Sequence, residues 1–133
     1  MKNKLTYIID DDKLTIKLMS ILISKNDFCE EIESFYNAKD AISKLKQNAA
    51  DNGILPDAIL LDLNMPVMDG WQFLDEFISL PITKEIHIFI MTSSIDPADI
   101  EMATKYKVVK KYIMKPITTQ KLDDLCKLIG DLN

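Results

Sequence analysis

Polar residues capable of chemistry stand where runs of apolar residues stop. Asp10-Asp11-Asp12 follows Leu5–Ile9, Asp62 follows Ala58–Leu61, Thr92 follows the run from Ile86, and Lys115-Pro116 follows the run from Val108. Taken singly each is weak, because aspartates also cap helices and Asp12 suits that role. Taken together they make a site. Carboxylates from Asp10, Asp11 and Asp62 brought to one edge would repel one another, and a cation among them removes that cost. Mg²⁺ fits such a place, since it accepts one or two carboxylates, a carbonyl and retained waters. The three negative charges are then matched by the ion and Lys115. A phosphoryl group arriving there meets two cations and the Thr92 hydroxyl, an electrostatic clamp for phosphoryl transfer to a carboxylate. Asp62 stands alone after its run, whereas Asp10 and Asp11 are adjacent and suited to sharing a metal. Asp62 is therefore the candidate nucleophile. The Asp10-x-Asp12 pair could instead make Asp10 the nucleophile, which would leave the Asp62 loop unexplained.

Five short apolar runs alternate with five stretches of helical spacing, the sequence form of a β-α repeat. Leu5–Ile9 reads as a strand, followed by a helix with Leu14, Leu18, Ile21 and Leu22 as its apolar positions. Phe28–Phe35 is a more polar strand suited to a sheet edge. Asn37 then caps a helix with Ala38, Ala41, Ile42, Leu45 and Ala49 on one face, ended by Asp51-Asn52-Gly53. Ala58–Leu61 is apolar throughout and belongs at the centre of the sheet, covered on both sides. A turn-rich loop over 64–70 leads to a helix with Trp71, Leu74 and Ile78 on one side, Trp71 being expected in the core. Strand Ile86–Met91 follows. Asp96-Pro97 opens a helix through Tyr106, Val108–Met114 supplies the fifth strand, and Thr118 caps a last helix with Leu122, Leu125, Cys126 and Ile129 inward. Five strands alternating with five helices imply an α/β fold, a doubly wound parallel sheet, whose ligands bind beyond the carboxyl ends of the strands.

The chain has 133 residues, enough for one domain with one core, so residues 1–133 are expected to form a single unit without an output domain. Sixteen basic against twenty-one acidic residues leave a net charge of −5, which provides no field for a phosphate backbone, so no nucleic-acid partner is expected. No apolar run approaches bilayer length and no leader is visible, so no membrane association and a cytoplasmic location are expected. Cys29 and Cys126 lack metal-ligand spacing and read as buried thiols. His87, the single histidine, lies at the start of a strand, away from the ligand-binding ends, and reads as structural. The chain therefore carries no phosphodonor of its own. Met65, Met68, Met91 and Met114 flank the candidate site as adaptable packing. Lys110 and Lys111 make a locally basic strand in an acidic protein.

Asp10-Asp11, the stretch from Leu61 to Gly70 (LDLNMPVMDG), Thr92, and Tyr112-Ile113-Met114-Lys115-Pro116 together resemble the receiver domain of two-component response regulators, from the first strand to the last helix. The resemblance implies a flavodoxin-like, five-stranded sheet of order 2-1-3-4-5. It implies Asp62 as phosphoacceptor, Asp10 and Asp11 as the metal-binding pair, and the Asn64 carbonyl as a further Mg²⁺ ligand. Thr92 and Lys115 would bind the phosphoryl group, Thr92 and Tyr112 would form the switch, and the Lys115-Pro116 bond would be cis. Ser93 replaces the more usual Ala or Gly, and Ser94 and Asn64 occupy positions that tune dephosphorylation. The implied protein is not an enzyme. It is a single-domain response regulator that takes a phosphoryl group from a histidine kinase or a histidine phosphotransfer protein and signals by binding an output protein. The alternatives are a phosphoryl shuttle to a histidine phosphotransfer protein, a docking module that needs no phosphorylation, and a haloacid-dehalogenase-type phosphatase, which the Asp10-x-Asp12 pair also resembles.

Overall fold

The computed structural model describes residues 3–132. In chain order the elements are β1 (Leu5–Ile9), α1 (Lys13–Asn26), β2 (Glu31–Phe35), α2 (Ala38–Ala50), β3 (Ala58–Leu61), α3 (Gly70–Ile78), β4 (His87–Thr92), α4 (Pro97–Ala103), β5 (Val109–Met114) and α5 (Thr119–Leu132). All strands are parallel and lie in the order β2-β1-β3-β4-β5. This is the implied five-stranded flavodoxin-like arrangement, with β3 central and wholly buried and β2 at an edge. Among the described residues no helix is long and apolar enough to cross a membrane.

Alternation along the strands feeds two cores. Tyr7, Ile9, Ile59, Leu61, Ile88 and Ile90 face α2, α3 and α4, while Ile8, Leu60, Phe89 and Met91 face α1 and α5. The helix starts follow from side-chain capping: Asp12, Asn37, Asp69 and Asp96 each accept backbone N–H bonds, and Asp69 with Gln72 completes a capping box. Thr118 Oγ1 accepts the Lys121 N–H at 3.1 Å, as expected of the cap of α5.

Two helix faces differ from expectation. In α1 the buried residues are Ile16, Met19 and Ile23, while Leu14, Leu18 and Ile21 are 64%, 52% and 44% exposed. The helix carries two apolar stripes at the same spacing, and periodicity cannot say which one the sheet covers. In α3 the inward stripe is Phe73, Leu74 and Phe77; Ile78 is exposed and Trp71 only half-buried. The strand at the edge begins at Glu31, leaving Phe28 buried in the loop before it, and α4 ends at Ala103. Cys29 and Cys126 are free thiols and half-buried, not buried, because Cys29 lies in the loop before β2 and Cys126 on α5, both lining one open cleft at the rim of the sheet. The ladder between β4 and β5 is irregular at Ile88/Phe89, with Val109 and Lys111 the successive partners and Lys110 left over. Lys110 turns to Glu85, at 3.7 Å.

Candidate functional site

The sheet's hydrogen-bond ladder runs one residue past the strands, and that extension places the polar residues. The Asp10 N–H donates to Phe35 O at 3.1 Å, the Asp62 N–H to Ile9 O at 3.0 Å, and the Lys115 N–H to Thr92 O at 2.8 Å. These backbones are thus fixed by the sheet and not by the loops that follow. Asp10 and Asp62 leave neighbouring strands at the same level, because Ile9 and Leu61 are register partners. One carboxylate oxygen from each of Asp10, Asp11 and Asp62 lies within 4.8 Å of the other two. Asp10 and Asp62 are 2% and 6% exposed, and Asp11 reaches solvent. The peptide bond between Lys115 and Pro116 is cis.

Lys115 Nζ lies 2.6 Å from Asp10 Oδ2 and 3.6 Å from Asp62 Oδ1. The other Asp10 oxygen accepts the Asp12 N–H at 2.9 Å. Burial, then the negative charge of Asp10, pushes the Asp62 carboxyl above its ordinary range, against the pull of Lys115, the Asn64 N–H and the Thr92 hydroxyl. Asp12 stands apart: Thr15 and Leu14 hydrogen bonds hold its carboxyl low, and it serves as the cap of α1. Three oxygen donors of this charge, two of them buried, suit a hard divalent cation, which would relieve the repulsion that one lysine only partly offsets.

The loop after β3 folds back tightly on its own start. The Gly70 N–H bonds back to Leu63 O at 2.9 Å, and a Cβ at Gly70 would fall 2.8 Å from Asp62 O. Within this loop the Met68 N–H bonds to Pro66 O at 2.8 Å, a γ-turn with Val67 at φ 70° and its side chain 84% exposed. Positive φ in a β-branched residue is strained. At the end of β4, Thr92 is buried, and its Oγ1 accepts the Ser94 N–H at 3.4 Å. Tyr112 donates its hydroxyl to Ser94 O at 2.9 Å. Of the sequence-predicted residues, Asp10, Asp11, Asp62 and Lys115 meet directly, Thr92 borders them, Asn64 stands exposed on the loop, and Tyr112 reaches the site only through Ser94.

The family model described as the response regulator receiver domain matches residues 6–127. The chain belongs to that family. The receiver is 33% identical over 127 residues to a protein-glutamate methylesterase/protein-glutamine glutaminase of Clostridium acetobutylicum, spanning 94% of this chain but only 33% of that protein. It is 28% identical over 127 residues to response regulator Rcp1 of Synechocystis, spanning 95% of this chain and 84% of Rcp1. The crystal structure of a two component response regulator from Cytophaga hutchinsonii superposes with a TM-score of 0.87 at 30% identity, over 98% of this chain and 99% of that one. The Mn(2+)-bound form of Rcp1 superposes at 0.75 with 26% identity, over 97% and 91% of the two chains.

Sequence reasoning about this receiver missed Asp99 and underread Trp71. Asp99 Oδ2 accepts from Ser94 Oγ at 2.6 Å and Asp99 Oδ1 accepts from Trp71 Nε1 at 3.3 Å. The Trp71 ring stacks on Tyr106 with centroids 5.7 Å apart and planes at 22°. No motif announces this set, since its members come from α3, the loop after β4 and α4. His87 is buried at the opposite end of the sheet from the acidic cleft.

Proposed function

We propose that this receiver accepts a phosphoryl group on Asp62 in a Mg²⁺-dependent reaction and signals by changing which protein it binds. The observation that carries this reading is the buried Asp62 carboxylate at the end of the central strand, flanked by Asp10, Asp11, Lys115 and Thr92. The step forms a bond between an Asp62 oxygen and phosphorus and breaks the phosphorus–nitrogen bond of a donor phosphohistidine, whose imidazole leaves with its electron pair and takes a proton. Asp10, Asp11, Asp62 and the Asn64 carbonyl would hold Mg²⁺, which supplies charge neutralisation for the phosphoryl oxygens. Lys115 pairs with one of those oxygens, and the Thr92 hydroxyl donates to another. The raised proton affinity of Asp62 describes the free receiver; cations in the cleft return the carboxylate to the charged, nucleophilic form.

The donor's docking surface is read from α1. Leu18, Ile21 and Leu22 line an apolar groove of about 520 Å³ with Pro116 and Ile117, and the groove borders Ser93 and Lys115 at the cleft. An amphipathic helix of a histidine kinase or histidine phosphotransfer protein, laid in that groove, would present its phosphohistidine to Asp62. The divalent ion named for Rcp1 is Mn²⁺, and the oxygen-only donor set here serves Mg²⁺ equally.

Incubation with acetyl phosphate and Mg²⁺, followed by intact mass, tests the reading. One base-labile phosphoryl adduct is expected, absent without Mg²⁺ and absent in Asp62→Asn. An adduct that persists in Asp62→Asn and disappears in Asp10→Asn would assign the nucleophile to the first strand and overturn it.

A further inference from the structure

One half-buried carboxylate ties the start of α3 to the loop beyond β4. Asp99, on α4, accepts from Ser94 with one oxygen and from Trp71 with the other. Ser94 lies two residues beyond Thr92 and donates its N–H to the Thr92 hydroxyl oxygen. Trp71 follows Gly70, whose N–H is bonded to Leu63, the residue after Asp62. Asp99 therefore connects the segment after the candidate phosphoacceptor with the segment after the candidate phosphoryl-binding hydroxyl.

The chemistry of the contacts separates their importance. At 2.6 Å the Ser94–Asp99 bond is a short hydroxyl–carboxylate bond, of the charge-assisted class that is roughly twice as strong as a neutral one. The Ser94 oxygen also accepts the Asp96 N–H at 3.3 Å, and the Ser94 carbonyl accepts from Tyr112. Ser94 is thus held at its hydroxyl, its N–H and its carbonyl, and the hydroxyl's one proton is committed to Asp99. The Trp71 bond, at 3.3 Å, is longer, and the indole is also supported by its stack on Tyr106, whose hydroxyl donates to Asp75 at 2.7 Å.

We infer that Asp99 is a positioning residue for phosphoryl transfer: by fixing Ser94 it fixes the Thr92 hydroxyl where a phosphoryl group on Asp62 would meet it. The inference rests on the Asp62 reading above. Asp99 does not touch the reacting atoms. It acts through Ser94, and removal of either member of the pair should have the same effect.

The test uses the full chain and acetyl phosphate as donor, with the rate of adduct formation read by mass at saturating Mg²⁺. The Mg²⁺ dependence of the melting temperature is read separately. Asp99→Leu should slow phosphorylation by about tenfold, the scale of one lost hydrogen bond to a charged group. Its Mg²⁺ midpoint should stay within about twofold of wild type, because the carboxylates of the cleft are untouched. Ser94→Ala should slow the reaction equally, and the double variant no further, whereas Asp99→Asn, which keeps one carbonyl acceptor, should recover most of the rate. A wild-type receiver that takes up no phosphoryl group overturns the Asp62 reading and this inference with it. Normal wild-type phosphorylation with Asp99→Leu at the wild-type rate overturns the inference alone. So does an additive loss in the double variant, which would show Asp99 acting other than through Ser94. If Asp99→Leu does not fold, Ser94→Ala decides, and a wild-type rate there refutes the role.

Discussion

Neutralising Asp62 should stabilise the free protein even though it removes the proposed phosphoacceptor. With an effective dielectric near 20, Asp10, no farther than 4.8 Å away, repels Asp62 by at least about 3.5 kcal/mol, and Lys115 at 3.6 Å attracts it by about 4.6 kcal/mol. These nearly cancel, so the neighbouring charges leave the ionised form with little net support. Against it stands the cost of holding a carboxylate in a largely buried place, several kcal/mol per ion, of which a buried amide retains only part. The balance is about 2 kcal/mol in favour of Asp62→Asn, or about 6–10 °C in melting temperature for a chain of this length. The sign with pH follows from the raised folded-state value. At pH below the ordinary carboxylate value of 3.8 Asp62 is protonated in both states and the wild type bears no penalty. As pH rises through the folded-state value the wild type loses that stability, and the gap to Asp62→Asn opens and is complete at neutral pH. Thermal melts of both proteins in a chelator, from neutral pH down to about pH 4.5, measure it. A lower melting temperature for Asp62→Asn at neutral pH, or a gap that widens towards acid, would refute the reasoning.

Other perturbations have equally definite expectations. Mg²⁺ at a hundredfold excess over its Kd should stabilise the wild type by about 2.7 kcal/mol, and Asp11→Ala should abolish most of that gain in a melting titration, since Asp11 is one of the three clustered carboxylates. Gly70→Ala should cost about 1–3 kcal/mol by denaturant unfolding, because its Cβ would meet the Asp62 carbonyl at 2.8 Å and Leu63 at 2.9 Å, backbone that the sheet prevents from moving. Val67→Gly should gain about 1 kcal/mol in the same assay, by relieving a positive φ at an exposed side chain that makes no compensating packing.

The residues of the cleft were legible because each ends or directly follows an apolar run, and strand ends are set by local pattern. Asp10, Asp62, Thr92 and Lys115 needed only a parallel sheet to come together. The order of the strands needed the family resemblance, because the repeat of elements alone does not state it. The covered side of α1 was not legible, since Ile16, Met19 and Ile23 compete with Leu14, Leu18 and Ile21 at identical spacing. What decides between them is the sheet beneath, a non-local fact. The clamp at Asp99 was hidden for a related reason. Asp99 is 28 residues from Trp71, and an aspartate early in a helix reads as a favourable charge for the helix dipole before it reads as anything else. Trp71 was expected in the core because its size favours burial, but an indole keeps an N–H that needs a partner, and the Asp99 carboxylate at the margin provides one.

The extension of the ladder past the strands has a consequence for amide exchange. Asp10, Asp62 and Lys115 protect their own N–H groups by bonding to Phe35, Ile9 and Thr92, so these amides belong to the sheet's cooperative unit and should exchange only when the sheet itself opens. The loops that carry Val67 and Ser94 lean on turns and side chains and can open at a fraction of that free energy. The charged groups therefore share the fate of the most persistent part of the molecule, while the segments around them are free to adopt more than one arrangement without dispersing the cleft.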